Sequence, residues 1–159
     1  MSDVRKSQKN VLIVDDIEDN RVLLERTLRS AGYAVQSADC GASAIAIVSD
    51  ARPDIILLDW MMPGLSGLET LIQIRKDYSA SQLPIIMCTA MGEEHDVVQA
   101  IEAGANDYVV KPISLPILRA RMSTHLAQSE RVTTLESESH LTKKRAAEQL
   151  RRLMEARSV

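Results

Sequence analysis

Uninterrupted apolar runs, each followed by a residue with a reactive or charged side chain, constrain this chain more than any other feature. Residues 11–14, 55–58 and 85–88 contain no polar side chain that would face water. Continuous runs of this length are typical of strands that are covered on both faces, as in a parallel sheet. The sequence therefore predicts a sheet buried between two layers of helices.

Segments with helical periodicity separate the predicted strands. Parallel neighbours need a right-handed crossover that contains a helix, so strict alternation favours a doubly wound sheet. We predict an α/β fold, a (βα)5 five-stranded parallel sheet of flavodoxin-like type with an extended C-terminal helix. The predicted strands are 11–14, 33–35, 54–59, 83–88 and 107–110, and the predicted helices are 18–31, 42–50, 68–78, 93–103 and a fifth that begins near 115.

The chain changes character after residue 114, because no glycine or proline follows Pro116. Leu115, Leu118, Met122 and Leu126 recur at helical spacing, so a fifth helix should cover the sheet there. We place a domain at 9–128 and a C-terminal helical extension or linker at 129–159. Later apolar residues fit a heptad only intermittently, and a frayed polar tail is the alternative.

Composition limits the remaining classes of protein. A length of 159 residues suits one domain with an appendage, and a net charge of −3 implies no general attraction to nucleic acid. The tail mixes basic and acidic residues and lacks a turn, so no DNA-binding module is expected there. Without a membrane-length apolar run or signal sequence, we expect a cytoplasmic location, where Cys40 and Cys88 stay reduced.

Five polar residues follow the predicted strands at their carboxyl ends. They are Asp15 and Asp16 after the first strand, Asp59 after the third, Thr89 after the fourth and Lys111 after the fifth. Doubly wound sheets place their sites at this edge, so these side chains should converge. Three adjacent carboxylates need a cation to stay ionised, and an all-oxygen set favours Mg²⁺ over softer metals.

This set of residue types suits phosphoryl transfer. With Mg²⁺ bound, Asp59 can attack phosphorus as a nucleophile. The Lys111 ammonium can neutralise charge on the transferring oxygens, and the Thr89 hydroxyl can donate a hydrogen bond to the attached group.

Four stretches carry a resemblance to a known family. VLIVDD at 11–16, ILLDWMMPGLSG at 56–67, IIMCTA at 85–90 and AGANDYVVKP at 103–112 together resemble the receiver domain of bacterial two-component response regulators, of the CheY-like superfamily. The resemblance implies that a histidine kinase phosphorylates Asp59. It also implies Mg²⁺ ligation by Asp16, Asp59 and the Met61 carbonyl, with Asp15 acting through water, and a cis bond between Lys111 and Pro112.

The resemblance also implies a switch. Thr89 would move toward the phosphoryl group and Tyr108 would turn inward, rearranging the face formed by the fourth helix, fifth strand and fifth helix. This face would control a partner or a downstream effector domain through dimerisation. The implied partner is a sensor histidine kinase or phosphotransfer protein. We also predict a homodimer through the fourth and fifth helices, which the tail can prolong. We expect no direct nucleic-acid binding, no membrane contact and no enzymatic activity.

Alternatives remain at the level of output and of class. The chain can be a stand-alone phosphorelay shuttle or a degenerate receiver that only binds proteins. A phosphatase of the haloacid dehalogenase type needs DxD after its first strand, and this chain has Asp15-Asp16-Ile17. A flavodoxin-like cofactor binder needs phosphate-cradling loops that are missing here. Met61 and Met91, two residues past Asp59 and Thr89, predict slow loss of the phosphoryl group.

Overall fold

Five strands alternate with five helices along the chain in a computed structural model that describes residues 7–90 and 94–157. The elements are β1 (Asn10–Val14), α1 (Glu18–Ser30), β2 (Ala34–Ala38), α2 (Gly41–Asp50), β3 (Ile55–Asp59), α3 (Gly67–Arg75), β4 (Ile85–Thr89), α4 (Glu94–Glu102), β5 (Asp107–Val110) and α5 (Leu115–Ala156).

The strands form one parallel sheet in the order β2-β1-β3-β4-β5. The order reverses direction after β1, as in a doubly wound sheet. This confirms the predicted fold class. It also sets the carboxyl ends of β1, β3, β4 and β5 along one edge.

Both faces of the sheet are buried, which explains the uninterrupted apolar runs. Leu12 and Leu58 point into a core under α2, α3 and α4. Ile13 and Leu57 point into a second core under α1 and α5. Because successive strand residues face opposite sides, a strand between two helical layers has no position left for a polar side chain.

The helix α3 is shorter than predicted, ending at Arg75 rather than near residue 78. The Arg75 guanidinium donates hydrogen bonds to the carbonyls of Leu83 and Gly104 at 2.8 Å each and to Asn106 Oδ1 at 2.9 Å. It also donates to the Tyr78 carbonyl at 3.3 Å, in the segment that follows α3. Burial lowers the pKa of Arg75 to about 10.

The last helix, α5, is continuous over 42 residues. Its first part buries Leu118, Met122 and Leu126 against the sheet, as predicted. The contacts with the domain end near Ser129, whose hydroxyl donates to the Ser81 carbonyl at 2.7 Å. Residues 133–157 are exposed, and the chain there is an extended helix rather than a frayed tail. Among the described residues, no helix has a stretch long and apolar enough to span a membrane.

Candidate functional site

Three carboxylates meet at the carboxyl edge of the sheet. Asp15 directly follows β1, Asp16 comes next, and Asp59 is the last residue of β3. Their oxygen atoms lie within 4.8 Å of one another. Asp15 and Asp59 are only 3% and 5% exposed, whereas Asp16 faces solvent. The structure therefore brings together the three acids that the sequence singled out.

Lys111, directly after β5, bridges two of these acids. Its Nζ lies 3.1 Å from Asp15 Oδ2 and 3.1 Å from Asp59 Oδ1. Burial works against the charged ammonium, but the hydrogen bonds and charges of Asp59 and Asp15 outweigh it and raise the pKa of Lys111. Lys111 therefore remains a cation at the centre of the site. The Lys111–Pro112 peptide bond is cis, as the resemblance implies.

The electrostatics of Asp59 favour a second cation. Burial raises the pKa of Asp59, and the nearby charges of Asp15 and Asp16 raise it further, while Lys111 lowers it without reversing the shift. A carboxylate in this environment is ionised more fully when a metal ion is present. The site is therefore short of positive charge in the absence of a metal.

The donor atoms fit a hard divalent cation. All three side chains offer carboxylate oxygen, and the exposed Asp16 leaves one side of the cluster open to water. Mg²⁺ is bound in proteins by one or two carboxylates and retained waters. Softer metals prefer nitrogen or sulphur, which this set of ligands lacks.

The first turn of α1 holds Asp15 in place. The Ile17 N–H donates to Asp15 Oδ1 at 2.9 Å, and Asn20 Nδ2 donates to Oδ2 at 3.2 Å. Arg21 Nη1 donates to the Asp15 carbonyl at 2.8 Å. Sequence reasoning missed Asn20 and Arg21, although their spacing on a predicted helix directly after Asp15 was a usable signal.

Gly67 fixes the loop that follows Asp59. A side chain on Gly67 would overlap the Asp59 carbonyl oxygen and crowd Trp60. Its N–H donates to the Trp60 carbonyl at 3.1 Å, and the Trp60 N–H donates to the Cys88 carbonyl at 2.9 Å. The start of α3 therefore closes back onto the end of β3, and only glycine fits there.

The predicted switch residues lie on neighbouring strands. Thr89 ends β4 and is buried beside the acidic cluster, since its preceding residue Cys88 pairs with Asp59. Tyr108 is half-buried in β5, pairs with Met87 and packs against the core under α2, α3 and α4. Met91 lies outside the described residues.

A second polar cluster, which sequence reasoning missed, joins the start of β5 to α5. Asp107 Oδ1 accepts a hydrogen bond from Arg121 Nη1 at 2.7 Å, and Asp107 Oδ2 lies 2.9 Å from His125 Nε2. Burial opposes ionisation of Asp107, but these hydrogen bonds hold its pKa below the usual range. The four-residue spacing of Arg121 and His125 puts both on one side of α5.

Comparisons with known proteins agree with this geometry. A family model described as the response regulator receiver domain matches residues 11–123. The phosphate regulon transcriptional regulatory protein PhoB of Pseudomonas aeruginosa is 42% identical over 121 residues, which cover 76% of this chain and 53% of that protein. The transcriptional regulatory protein AfsQ1 of Streptomyces coelicolor is 39% identical over 125 residues, covering 79% and 54%.

A solved structure, the chemotaxis protein CheY4 of Vibrio cholerae, superposes with a TM-score of 0.70 at 30% identity, covering 74% of this chain and 98% of that one. The chain spans about half the length of the curated relatives it matches. The family match covers most of the chain, and three acids and a lysine meet at one edge of the sheet. The chain therefore belongs to the response regulator receiver family of two-component systems.

Proposed function

We propose that Asp59 accepts a phosphoryl group from a phosphohistidine on a sensor histidine kinase or phosphotransfer protein. The observation that carries this proposal is the ion pair between Lys111 and Asp59 inside an acidic cluster. A buried carboxylate beside one lysine and two further acids suits the addition and removal of a negatively charged phosphoryl group. An acid at a strand end that merely capped a turn would not need these neighbours.

The transfer makes one bond and breaks one. An Asp59 carboxylate oxygen attacks phosphorus, the P–O bond forms, and the bond from phosphorus to the imidazole nitrogen of the donor breaks. The imidazole leaves with its electron pair and takes up a proton. Lys111 Nζ, which lies 3.1 Å from Asp59 Oδ1, stays close enough to stabilise the negative charge on the phosphoryl oxygens.

Receiver domains bind Mg²⁺ at an acidic cluster, and Asp15, Asp16 and Asp59 form such a cluster here. We propose that Asp16, Asp59 and the Met61 carbonyl hold the ion directly and that Asp15 acts through water. The hydrogen bonds that Asp15 already accepts from Ile17 and Asn20 support this division. The bound ion would supply positive charge that offsets the acids and the incoming phosphoryl group.

Apolar side chains beside the site support docking of a phosphodonor protein. Leu23 is exposed on α1, and it lines a cavity of about 230 Å³ together with Asp15, Lys111 and Ile113. Met61, two residues after Asp59, is 72% exposed. An apolar border around a charged site suits a protein partner that excludes water as it binds.

The cytoplasmic location expected from the sequence stays a prediction.

We propose that the phosphorylated state changes the face formed by α4, β5 and α5 through Thr89 and Tyr108. Thr89 is buried at the end of β4 beside the acids, and Tyr108 lies one strand further along the sheet. We also propose that a dimer forms through this face and that the chain controls an effector domain. We propose the boundaries 9–128 for the receiver domain and 129–159 for the helical extension or linker. Receiver domains are typically signalling domains without enzymatic activity, and we propose that this chain has none.

The test is intact-mass measurement after incubation with Mg²⁺ and acetyl phosphate. We expect a gain of one phosphoryl group in the wild type, none without Mg²⁺ and none in Asp59→Asn. The matched control is Asp50→Asn, which changes an exposed acid at the end of α2 and should leave the gain intact.

A gain that persists in Asp59→Asn would refute the assignment of the phosphoacceptor. No gain in the wild type calls for a second measurement with a phosphorylated histidine-containing donor protein. If that donor also fails, the chain is a degenerate receiver that only binds partners.

A further inference from the structure

The far end of α5 separates apolar from charged side chains. Residues 143–157 are all exposed, and Leu150 and Leu153 keep 59% and 61% of their surface accessible. At 3.6 residues per turn, five apolar residues share one side of this segment. They are Ala146, Ala147, Leu150, Leu153 and Met154. We call this the apolar side of the tip, and it faces solvent along its whole length.

The same segment is strongly basic. Residues 143–157 contain six basic and two acidic residues, which gives a net charge of +4, whereas the whole chain has a net charge of −3. The two acids are paired within the helix, Glu148 with Arg152 at 3.1 Å and Glu155 with Arg151 at 3.0 Å. The other four cations form no ion pair with the part of the chain that the structure describes; they are Lys143, Lys144, Arg145 and Arg157.

The acids and two of the unpaired cations lie on opposite sides of the helix. Glu148 and Glu155 are rotated by about 160° and 140° from the centre of the apolar side. Lys143 and Arg157 lie within about 20° of that centre, one at each end of the apolar residues. A partner on the apolar side would therefore meet apolar residues and positive charge, while both acids point away from it.

This distribution of charge favours an anionic surface as the partner. A second copy against the same side would bring Lys143 next to its own equivalent in parallel pairing and next to Arg157 in antiparallel pairing. Like charges in such contacts are destabilising. An acidic groove in a protein would need one acid placed for each cation in line with the apolar residues. On a membrane, by contrast, lysine and arginine lay their aliphatic stems over the lipid and keep their charged ends among the head groups.

We propose that residues 143–157 bind the surface of an anionic lipid membrane, with the apolar side toward the acyl chains. The apolar residues are few and include no aromatic ring, so binding depends on charge as well as on apolar contact. The expectation of no membrane contact rests on the absence of a spanning run, and a helix that lies in the interface needs no such run. The proposal does not depend on phosphoryl transfer to Asp59, so either can fail without the other.

The first test is co-sedimentation of the full chain with vesicles of phosphatidylglycerol and phosphatidylcholine in equal parts, and with vesicles of phosphatidylcholine alone. We expect binding to the anionic vesicles only, and weaker binding as salt is added. The double variant Lys143→Gln, Arg157→Gln should weaken binding about 30-fold, since each basic residue at an anionic surface contributes about a factor of five.

The matched control for charge is the double variant Arg145→Gln, Arg152→Gln. It removes the same net charge from the opposite side of the helix, about 10 Å further from the lipid, where salt screens the attraction. This control should therefore weaken binding much less than the variant on the apolar side.

The second test replaces one leucine on each side of the helix. Leu150→Gln should weaken binding to the anionic vesicles about tenfold, because an apolar contact with the lipid is lost. Leu141→Gln should have little effect, since Leu141 is also exposed but lies opposite the apolar side. Glutamine is a good helix former, and circular dichroism checks that each variant is folded.

Three results would overturn the proposal. They are no binding to the anionic vesicles, equal binding to phosphatidylcholine alone, and equal losses in a variant and its matched control. The first of these would leave an acidic protein surface as the partner to test. Binding that needs the anionic lipid, with both losses confined to the apolar side, would support the proposal.

Discussion

Removing Lys111 should strengthen Mg²⁺ binding while it weakens phosphoryl transfer. In the structure the Lys111 ammonium bridges Asp15 and Asp59, so it occupies the same carboxylates that a metal ion would use. Lys111→Gln removes this competing charge and leaves a hydrogen-bond donor in its place. If Lys111 only stabilised the fold, its replacement would not change Mg²⁺ affinity and phosphoryl transfer in opposite directions.

The magnitude follows from the two hydrogen bonds at 3.1 Å. A hydrogen bond to a charged group contributes about 1.5–3 kcal/mol. If Mg²⁺ has to displace Lys111 from one carboxylate, removing the lysine should make the free energy of Mg²⁺ binding more favourable by about the same amount. Since 1.4 kcal/mol is a factor of ten, the Mg²⁺ affinity should rise on the order of 10- to 100-fold.

Fluorescence of Trp60, the only tryptophan in the sequence, provides the assay. Trp60 follows Asp59 directly, so its emission should respond to Mg²⁺ in a titration at fixed ionic strength. The matched control is Lys76→Gln, since Lys76 is exposed just after α3 and its ammonium donates a hydrogen bond to Gln73. An unchanged or weaker Mg²⁺ affinity in Lys111→Gln, in a folded variant, would refute this account of the site.

Replacing Arg75 with Met should lower the free energy of unfolding in urea by about 3 kcal/mol, because buried carbonyls lose a charged donor, whereas exposed Arg119→Met should cost under about 0.5 kcal/mol. The aspartyl phosphate should persist for minutes, since apolar Met61 positions no water; a half-life of seconds would contradict this, and Met61→Asn should shorten it. Asp107→Asn should destabilise the chain at pH 7, and it should do so less at about pH 3. A lowered carboxyl pKa adds stability above the unfolded value, and this stability is lost as pH falls through the folded one. Thermal melts across pH would show an equal loss at both values if this reasoning were wrong.

The order of elements and the acidic cluster were predictable because their causes are local in sequence. A strand that is buried on both faces has to be apolar throughout, so β1, β3 and β4 stand out. Topology then places the residues that follow these strands at one edge. Asp15, Asp59 and Lys111 could therefore be brought together before any coordinates were known.

The contacts that were missed depend on side chains meeting across long stretches of sequence. Arg75 contacts Gly104 and Asn106, which lie 29 and 31 residues away, and its carbonyl partners leave no sequence pattern. Such contacts anchor the end of α3 at Arg75, whereas the sequence pattern predicts an end near residue 78. The contact between Asp107 and His125, which are 18 residues apart, likewise leaves no pattern in the sequence. Helix propensity depends on residues that are close in sequence, so it does not reveal tertiary contacts at the end of a helix.

Because α5 is continuous, a small tilt at the domain produces a large displacement at the far end of the helix. About 30 residues separate Leu126, the last buried position, from Ala156, which is about 45 Å at 1.5 Å per residue. A tilt of about 10° at the domain would move the far end by about 8 Å. That displacement is close to the spacing of two packed helices, about 8–10 Å. A rearrangement too small to alter the sheet would therefore be large enough, at the tip, to separate two helices or bring them into contact.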